Sequence, residues 1–295
     1  MRAPDQILPY ANLLGEGPVW DSARGRLLWT DIQARRLYSL DPATGATRSM
    51  ETPERLGALA LINSAPDRVL AAFETGFGVF DLEHGAVHWL HQPEIGRTGR
   101  RFNDGRVDRQ GRFWAGTMVE EEALAGQNTA QLWRVGLDGR VSAHRSGIGI
   151  SNGICFSPDG RILYFADSPR QIILAFDLDI ETGDISGERL FAEVAQGYPD
   201  GATVDAEGCV WSACWGAGRV VRYAPDGRAI GALAVPASQP TSIAFGGPDL
   251  TTAFVTSARD ELDATALAGQ PHAGDLFVFD LDIQGLPEPQ CRDIF

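Results

Sequence analysis

In the stretch Arg101-Phe-Asn-Asp-Gly-Arg-Val-Asp-Arg-Gln-Gly-Arg-Phe-Trp-Ala-Gly-Thr-Met118, a short polar segment precedes two predicted β-strands. The polar segment, residues 101–104, crowds a cation, an amide and a carboxylate together, and a glycine follows directly. Residues 107–118 have the pattern of a strand, a tight Asp/Gly turn and a second strand rich in aromatic and small residues. The sequence therefore predicts a β-hairpin with ligand-binding groups at its mouth.

The same unit recurs along the chain about every 45 residues. Each copy contains a strand, an Asp/Gly turn, a second strand, a short link, a third strand, a turn signal and a fourth strand. Helical periodicity is almost absent. Four short strands in each repeat are typical of a β-propeller blade, whereas a large β-sandwich would not repeat in this way. The copies begin at Gly17, Gly57, Arg101, Asn152, Asp200 and Thr241.

The repeats predict an all-β fold, a six-bladed β-propeller, in a single domain that spans residues 1–295. A propeller has to close its ring so that no sheet edge stays open. We expect the N-terminal residues 6–14 and the tail at residues 291–295 to pair in one blade and to provide this closure.

The charge balance of the chain argues against several classes of partner. The 295 residues contain 25 Lys and Arg against 39 Asp and Glu, a formal net charge of -14. Such a field repels phosphate backbones and anionic headgroups, so we expect no nucleic-acid partner and no membrane partner. An acidic surface on a closed ring favours a monomer.

The cysteines and the N-terminus indicate a reducing compartment. None of the four cysteines forms a Cys-x-x-Cys pair, so a disulfide framework or a zinc knuckle is not expected. The sequence has no secretory signal pattern at its start and no apolar run near the roughly 20 residues of a membrane span. We therefore predict free thiols and a cytoplasmic protein. The cysteines are Cys155, Cys209, Cys214 and Cys291.

Alignment of the repeats predicts which side chains meet at the axis. The first strand of each blade lines the central channel, so equivalent residues at its start converge on one mouth. Four of the six equivalent positions carry a carboxylate or a carboxamide, and none carries a histidine or a thiolate. Such oxygen donors suit a hard or borderline divalent cation, namely Ca²⁺, Mg²⁺, Mn²⁺, Zn²⁺ or Fe²⁺. The alternative is that these Asn and Asp residues only form turns. The six positions are Glu16, Leu59, Asn103, Asn152, Asp200 and either Thr241 or Ser242.

Five motifs in this order resemble the SMP-30/gluconolactonase/regucalcin-like family over essentially the whole chain. They are Gly15-Glu-Gly-Pro18, Arg101-Phe-Asn-Asp-Gly105, Gly111-Arg-x-x-Ala-Gly-Thr-Met118, Ser151-Asn-Gly153 with Ser157-Pro-Asp-Gly160, and Tyr198-Pro-Asp-Gly201. The resemblance implies a six-bladed propeller with one catalytic divalent metal near the axis, which hydrolyses lactones of sugar acids.

The resemblance also implies a role for individual residues. It assigns Glu16, Asn152 and Asp200 as metal ligands, the same three that the repeats place at the axis. It assigns substrate binding to Arg101, Asn103 and Glu121. Asp200, as a ligand beside the attacking water, is the expected general base. The expected substrate is a small sugar lactone such as glucono-, xylono-, arabino- or galactonolactone.

Two other functions stay open from the sequence. The first keeps the fold and the metal but hydrolyses other esters, such as phosphotriesters or homoserine-type lactones. Their apolar leaving groups would require an aromatic-lined mouth, whereas Arg101, Asn103 and the acidic residues favour a polyol. The second is a non-enzymatic Ca²⁺-binding propeller, for which we would expect some axis donors to be missing.

Overall fold

The structure, a computed structural model, describes residues 1–121, 123 and 126–292. The described residues form six four-stranded antiparallel sheets, and in each sheet the strands are adjacent in chain order apart from the one at the chain ends. The predicted six-bladed β-propeller is confirmed.

Each blade is numbered here in chain order, with its innermost strand first. Blade 1 contains β2 (Gly15–Asp21), β3 (Arg26–Asp31), β4 (Arg36–Asp41) and β5 (Ala46–Glu51); blade 2 contains β6 (Leu56–Leu61), β7 (Arg68–Phe73), β8 (Phe77–Asp81) and β9 (Val87–His91). Blade 3 contains β10 (Arg100–Val107), β11 (Phe113–Val119), β12 (Ala130–Val135) and β13 (Val141–Ile148); blade 4 contains β14 (Ser151–Phe156), β15 (Ile162–Asp167), β16 (Ile172–Leu178) and β17 (Ile185–Glu193). Blade 5 contains β18 (Tyr198–Val204), β19 (Val210–Trp215), β20 (Arg219–Tyr223) and β21 (Ala229–Ala234); blade 6 contains β22 (Pro240–Gly246), β23 (Thr252–Ser257), β24 (Leu276–Asp280) and the N-terminal β1 (Gln6–Leu8).

The innermost strands β2, β6, β10, β14, β18 and β22 contact one another in cyclic order, so they surround the axis. Aromatic side chains fill the space between blades. Phe77 of blade 2, for example, meets Phe102 and Phe113 of blade 3 edge to face, at centroid distances of 4.7 and 6.0 Å. Both phenylalanines of blade 3 are fully buried. Such aromatic pairs stabilise the ring beyond the area they bury.

The Asp/Gly turns that punctuate the sequence are fixed by their own aspartates. Asp108 accepts hydrogen bonds from the backbone N–H of Arg112 at 2.9 Å and from the indole N–H of Trp114 at 3.0 Å. Asp205 in blade 5 does the same for Cys209 at 2.9 Å and Trp211 at 2.8 Å. One carboxylate therefore closes the hairpin and orients the large side chain of the next strand, which explains the spacing seen in the sequence.

The ring closes differently from the sequence prediction. The N-terminal part of that prediction is confirmed, because Gln6 pairs with Val278 and β1 becomes the outer strand of blade 6. The tail, however, does not join this blade: Cys291 forms a parallel bridge with Ile62 of blade 2. The expected pairing of residue 291 is therefore wrong, and residues 293–295 lie outside the described residues.

The tail reaches blade 2 because it first crosses beneath the central channel. Gly285 bridges Asp205 of blade 5, and Glu288 forms an ion pair with the buried Arg106 at 2.8 Å. Cys291 then packs in the apolar cluster between blades 2 and 3, where it is 2% exposed. Because β1 occupies the outer edge of blade 6, the tail pairs with blade 2 instead.

The described residues include one α-helix, Ala264–Gly269, capped by the side chain of Asp263. No helix in the described part of the chain is long and apolar enough to cross a membrane. All four cysteines are buried, and their thiols are free, as predicted.

Candidate metal and substrate site

All six innermost strands have a register shift close to their first residue. A β-bulge of this kind turns a side chain away from its regular direction, and bulges are common beside active sites. Left-handed glycines occupy two of the bulges, Gly17 with φ 53° and Gly153 with φ 61°. The shifts lie between Glu16 and Val19, Leu56 and Ala58, Phe102 and Gly105, Asn152 and Cys155, Pro199 and Ala202, and Pro240 and Ser242.

The bulges correct one of the predicted axis positions. Leu59 lies beyond the bulge of its strand, pairs with Ala71 and is buried in an apolar cluster. The bulged residue of blade 2 is Gly57, which has no side chain to offer. The predicted equivalence of Leu59 is therefore wrong. Of the two candidates in blade 6, Thr241 and Ser242, the bulged residue is Thr241.

The mouth at this end of the channel opens into a cavity of about 480 Å³. Five of the six predicted site residues line it: Glu16, Arg101, Asn103, Asn152 and Asp200. All five are buried, with exposed fractions between 3% and 6%. The structure therefore brings these side chains, from four different blades, into one concave site.

A chain of hydrogen bonds holds the amides in place. Asn103 donates from Nδ2 to Oδ1 of Asn152 at 2.9 Å and to the carbonyl of Ser151 at 3.0 Å. Asn152 donates in turn to Oγ of Ser168 at 2.9 Å, and Ser168 donates to the carbonyl of Pro199 at 2.6 Å. Because Pro199 precedes Asp200, the network fixes blades 3, 4 and 5 relative to one another. The carbonyl oxygen of Asn152 consequently has a fixed direction.

The two candidate carboxylate ligands face each other, and among the described residues neither forms an ion pair, although the charge of Arg101 acts on Glu16 from a distance. Glu16 accepts a hydrogen bond from the N–H of Gly17 at 2.9 Å, and Asp200 accepts one from Gly201 at 3.0 Å. Burial, reinforced by the charge of Asp104, raises the pKa of Glu16 to about 8. Burial, and then the charges of Glu16 and Asp104, raise the pKa of Asp200 well above its usual value. Both carboxyl groups are destabilised as anions unless a cation is close.

Asp104 is a third buried carboxylate that the sequence reasoning did not select. It is 6% exposed and accepts hydrogen bonds from the N–H of Gly105 at 2.8 Å and of Ile154 at 2.9 Å. Burial raises its pKa, while those N–H groups and the nearby Arg106 act in the opposite direction. Its contact with Ile154 fixes the bulge that carries Asn152. Its position next to Asn103 could have drawn attention to Asp104. Adjacent residues of a strand normally point to opposite faces, however, so the sequence did not place both side chains in one site.

The donor set fits a divalent cation. Two carboxylates and one amide oxygen provide hard oxygen ligands with partial charge compensation, and three ligands leave positions for water and substrate. Each carboxylate accepts a backbone N–H on one oxygen, and the two carboxyl groups lie within hydrogen-bonding reach of each other. In the described part of the chain no group of three or more His, Cys, Asp or Glu side chains is arranged to hold a metal, so a metal bound here would also need an amide oxygen such as that of Asn152.

Two side chains and the backbone carbonyl of Phe102 orient the guanidinium of Arg101. It donates from Nε to Glu120 at 2.7 Å and from Nη1 to Oδ1 of Asn103 at 2.6 Å. Glu120 also accepts from Arg55, which pairs with Glu74 at 2.8 Å. Among the described residues no acceptor engages Nη2 of Arg101. This nitrogen is therefore available to a ligand in the cavity.

Part of the cavity wall is aromatic, which the sequence did not indicate. Tyr198 and Trp215 are directly opposite each other on β18 and β19, and both line the cavity. Trp215 packs against a small cluster of Leu14, Ile32 and Ala258. The site thus combines a polar half with an aromatic wall, which is the usual composition of a small-molecule pocket.

Comparison with known proteins identifies the family. Residues 14–259 match the profile described as the SMP-30/Gluconolactonase/LRE-like region. This chain is a member of that family. The resemblance deduced from the motifs is confirmed.

Some relatives with similar sequences carry lactonase names, and others are named regucalcin. A protein of Pseudomonas putida named 6-deoxy-6-sulfogluconolactonase is 37% identical over 286 residues, with 96% of each chain covered. The pentonolactonase XacC of Haloferax volcanii is 36% identical over 289 residues, covering 95% of this chain and 94% of the relative. A solved structure of regucalcin from Agrobacterium tumefaciens, described as a calcium-binding protein, superimposes with a TM-score of 0.92 at 35% identity and covers 99% and 98% of the two chains.

The family resemblance assigned a substrate contact to Glu121, but in the structure the neighbouring residue lies at the cavity instead. Glu120 lines the cavity and holds Arg101, whereas Glu121 is exposed and lies against Gly99. Of the six predicted site residues, Glu121 is the one that the structure does not bring to the cavity. Its role stays a prediction, and Glu120 is the neighbouring residue that sequence reasoning missed.

Proposed function

We propose that the protein is a lactonase that hydrolyses the cyclic ester of a sugar acid with one divalent cation held by Glu16, Asn152 and Asp200. The observation that carries the proposal is the pair of facing, buried carboxyl groups of Glu16 and Asp200 beside the oriented oxygen of Asn152. The lactonase names of two similar proteins support the same reaction. The metal, the substrate and the roles of these residues are proposals.

The reaction requires an activated carbonyl, a nucleophilic water and a stabilised oxyanion. A divalent cation supplies Lewis acidity, which polarises a carbonyl and makes water more acidic. Asp200 is the proposed general base: its carboxylate takes a proton from water as the water oxygen bonds to the lactone carbonyl carbon. The bond between that carbon and the ring oxygen then breaks, and the proton passes to the ring oxygen. The products are one carboxylic acid and one hydroxyl on the same open chain.

Arg101 and Asn103 are the proposed substrate-binding groups. Arg101 is buried and held by Glu120 and Asn103, so its free Nη2 is fixed in direction and available to a hydroxyl or a carbonyl oxygen of the ring. A charge-assisted hydrogen bond of this kind is stronger than a neutral one and also stabilises developing negative charge. The aromatic side chains of Tyr198 and Trp215, which also line the cavity, would contact the C–H face of a sugar ring.

The decisive experiment is a lactone panel with metal control. Purified protein is stripped with EDTA and reloaded with Mn²⁺, Zn²⁺, Mg²⁺, Ca²⁺ or Fe²⁺, and opening of glucono-, xylono-, arabino- and galactonolactone is measured against spontaneous hydrolysis. We expect hydrolysis above the buffer rate with at least one metal and none after stripping. Full activity in the stripped protein would refute the metal-dependent mechanism.

The aromatic wall gives one observation in favour of a second activity. Tyr198 and Trp215 would also accept an ester or phosphotriester with an apolar leaving group. Including phenyl esters, phosphotriesters and an acyl-homoserine lactone in the panel tests this candidate, which the buried polar half of the cavity disfavours. A non-enzymatic calcium-binding propeller is the third candidate, and metal binding without hydrolysis of any substrate would support it.

Location and assembly also remain proposals. Four free, buried thiols are what a reducing compartment such as the cytoplasm would maintain. A monomer is proposed from the acidic surface, and light scattering at several protein concentrations tests it.

A further inference from the structure

Negative charge dominates the cavity. Five carboxylates line it, those of Glu16, Glu120, Asp200, Asp260 and Glu261. Among the described residues in the lining, Arg101 is the single cation. Even with a divalent cation bound and every carboxylate ionised, the lining would keep two unbalanced negative charges.

Two of these carboxylates, Asp260 and Glu261, form an acidic rim on the blade 6 side of the mouth. The rim is attached to blade 1, because the N–H of Asp260 donates to the carbonyl of Leu13 at 2.9 Å and its carboxylate accepts from Gln33 at 3.1 Å. Glu261 has a left-handed backbone with φ 63°, which is uncommon for a residue with a side chain. A hydrogen bond thus holds the Asp260 carboxylate at the mouth, and Glu261 lines the cavity beside it.

The one cation in the lining is already compensated. Arg101 donates to Glu120, and the further partner of Glu120, Arg55, is itself paired with Glu74. Two guanidinium groups and two carboxylates therefore balance within this network. Within the described lining no net positive charge is left over for an anionic substituent such as a sulfonate or a phosphate on the substrate, although Nη2 of Arg101 can still donate a hydrogen bond.

We infer that the acidic rim of Asp260 and Glu261 makes the site selective for uncharged lactones and accelerates the departure of the anionic product. This inference rests on the proposed lactonase function. A neutral lactone enters without electrostatic cost, but hydrolysis converts it to a carboxylate inside a net negative cavity, which repels it. Hydrolysis therefore creates the negative charge that the acidic rim repels.

The same argument separates this chain from one of its relatives. The protein named 6-deoxy-6-sulfogluconolactonase acts, by its name, on a lactone that carries a sulfonate. In this chain the rim repels such a group, so the sulfonated lactone should be the poorer substrate despite the similarity of the two sequences.

The test compares a neutral and an anionic lactone of the same ring. Values of kcat/KM are measured for glucono-1,5-lactone and its 6-phospho derivative at low and high salt, together with inhibition by gluconate. Wild type should prefer the neutral lactone, and raising the salt from about 20 to 500 mM should improve turnover of the phosphorylated lactone alone, because the rim is exposed to screening. Gluconate should inhibit with a Ki well above the KM of the lactone.

The variant Asp260→Asn/Glu261→Gln isolates the rim. The variant deletes two negative charges that lie several ångströms from the ligand. This should raise the ratio of kcat/KM for the anionic lactone to that for the neutral lactone by about three- to tenfold, and gluconate should inhibit more strongly. The matched control, Glu83→Gln/Asp226→Asn, removes the same charge in hairpin turns at the opposite face and should leave the ratio unchanged.

The outcomes separate this inference from the proposed function. Equal or better turnover of the phosphorylated lactone by wild type, or an unchanged ratio in the rim variant, would overturn the inference while the lactonase assignment stands. Failure to hydrolyse either lactone with any metal would instead remove the proposed function on which the inference rests.

Discussion

Asn103 donates a hydrogen bond to the side-chain carbonyl of Asn152 at 2.9 Å and accepts one from Arg101 at 2.6 Å. A single carboxamide therefore connects the proposed substrate-binding cation in blade 3 with the proposed metal ligand in blade 4. Because the amide has distinct donor and acceptor ends, the substrate side and the metal side of the site have a fixed relative orientation.

Replacement of Asn103 by Ala removes these two hydrogen bonds and the one to the carbonyl of Ser151. We expect kcat/KM for every sugar lactone to fall about 100-fold, the magnitude observed when a catalytic hydrogen-bond donor is removed. The control is Asn63→Ala, at an exposed asparagine beyond the end of β6, which should retain wild-type kinetics. If Asn103→Ala also retains them, the substrate-site assignment is wrong.

Asp200→Asn tests the metal site without changing its shape. The variant keeps an oxygen donor but removes one of two ligand charges, so Mn²⁺ affinity should fall at least about tenfold, with loss of turnover. Calorimetric titration of the stripped protein measures affinity independently of activity. The surface variant Asp226→Asn is the control and should bind Mn²⁺ with wild-type affinity. If Asp200→Asn also binds Mn²⁺ with undiminished affinity, the metal site lies elsewhere.

The Glu120 carboxylate should matter to substrate binding through Arg101. Glu120→Gln removes the charged partner of Arg101 and weakens its hold, so we expect about a tenfold lower kcat/KM, mainly through a higher KM. Glu121→Gln is the matched comparison, with the same chemical change one residue away. A loss confined to the Glu121 variant would support the direct substrate contact that the family resemblance implies and contradict the importance of Glu120.

The fold was predictable because its signals are local. The spacing of Asp108, Gly111 and Trp114 encodes a hairpin whose carboxylate bonds both turn and indole, and six copies of this unit require a ring. Glu16, Asn152 and Asp200 could be chosen for the same reason, because equivalent positions of a repeat converge at the axis.

The remaining features depend on contacts that the repeat does not contain. Leu59 was wrongly predicted to lie at the axis position, because the register shift in blade 2 puts the bulge at Gly57 instead. Asp104 was missed because a regular strand would turn it away from Asn103. The path of Cys291 depends on the burial of a distant segment beneath the channel, and no periodic pattern reports such a contact.

His144 should make stability depend on pH. Burial, and then the charge of Arg134, lower the pKa of His144 to about 4 from 6.5, and the ring lies 5.0 Å from that of Trp114. The unfolded chain therefore binds the proton more readily, so the contribution is complete above pH 6.5 and is lost as the pH falls from 6.5 towards 4. After allowance for partial exposure, the loss between pH 7.5 and 4.5 should be about 1–2 kcal/mol.

Urea unfolding of wild type and His144→Gln at the two pH values measures this contribution. The difference between the proteins cancels the titration of the carboxylates that both share. Wild type should lose more stability than the variant on acidification, and identical losses would show that His144 is not held neutral by the fold.

Gly57→Ala should damage the site although no functional side chain is touched. A Cβ atom at residue 57 would lie 2.6 Å from the carbonyl oxygen of Phe102 and 2.7 Å from that of Asn103, and backbone atoms of a central strand cannot move aside without displacing β10. We expect a stability loss of about 1–3 kcal/mol from overpacking, and a fall in kcat/KM because Asn103 and Arg101 move with the strand. Gly269→Ala, where a Cβ meets nothing within 4 Å, should be nearly neutral in both measurements. If Gly57→Ala behaves like this control, the close contact between blades 2 and 3 does not position the substrate side of the site.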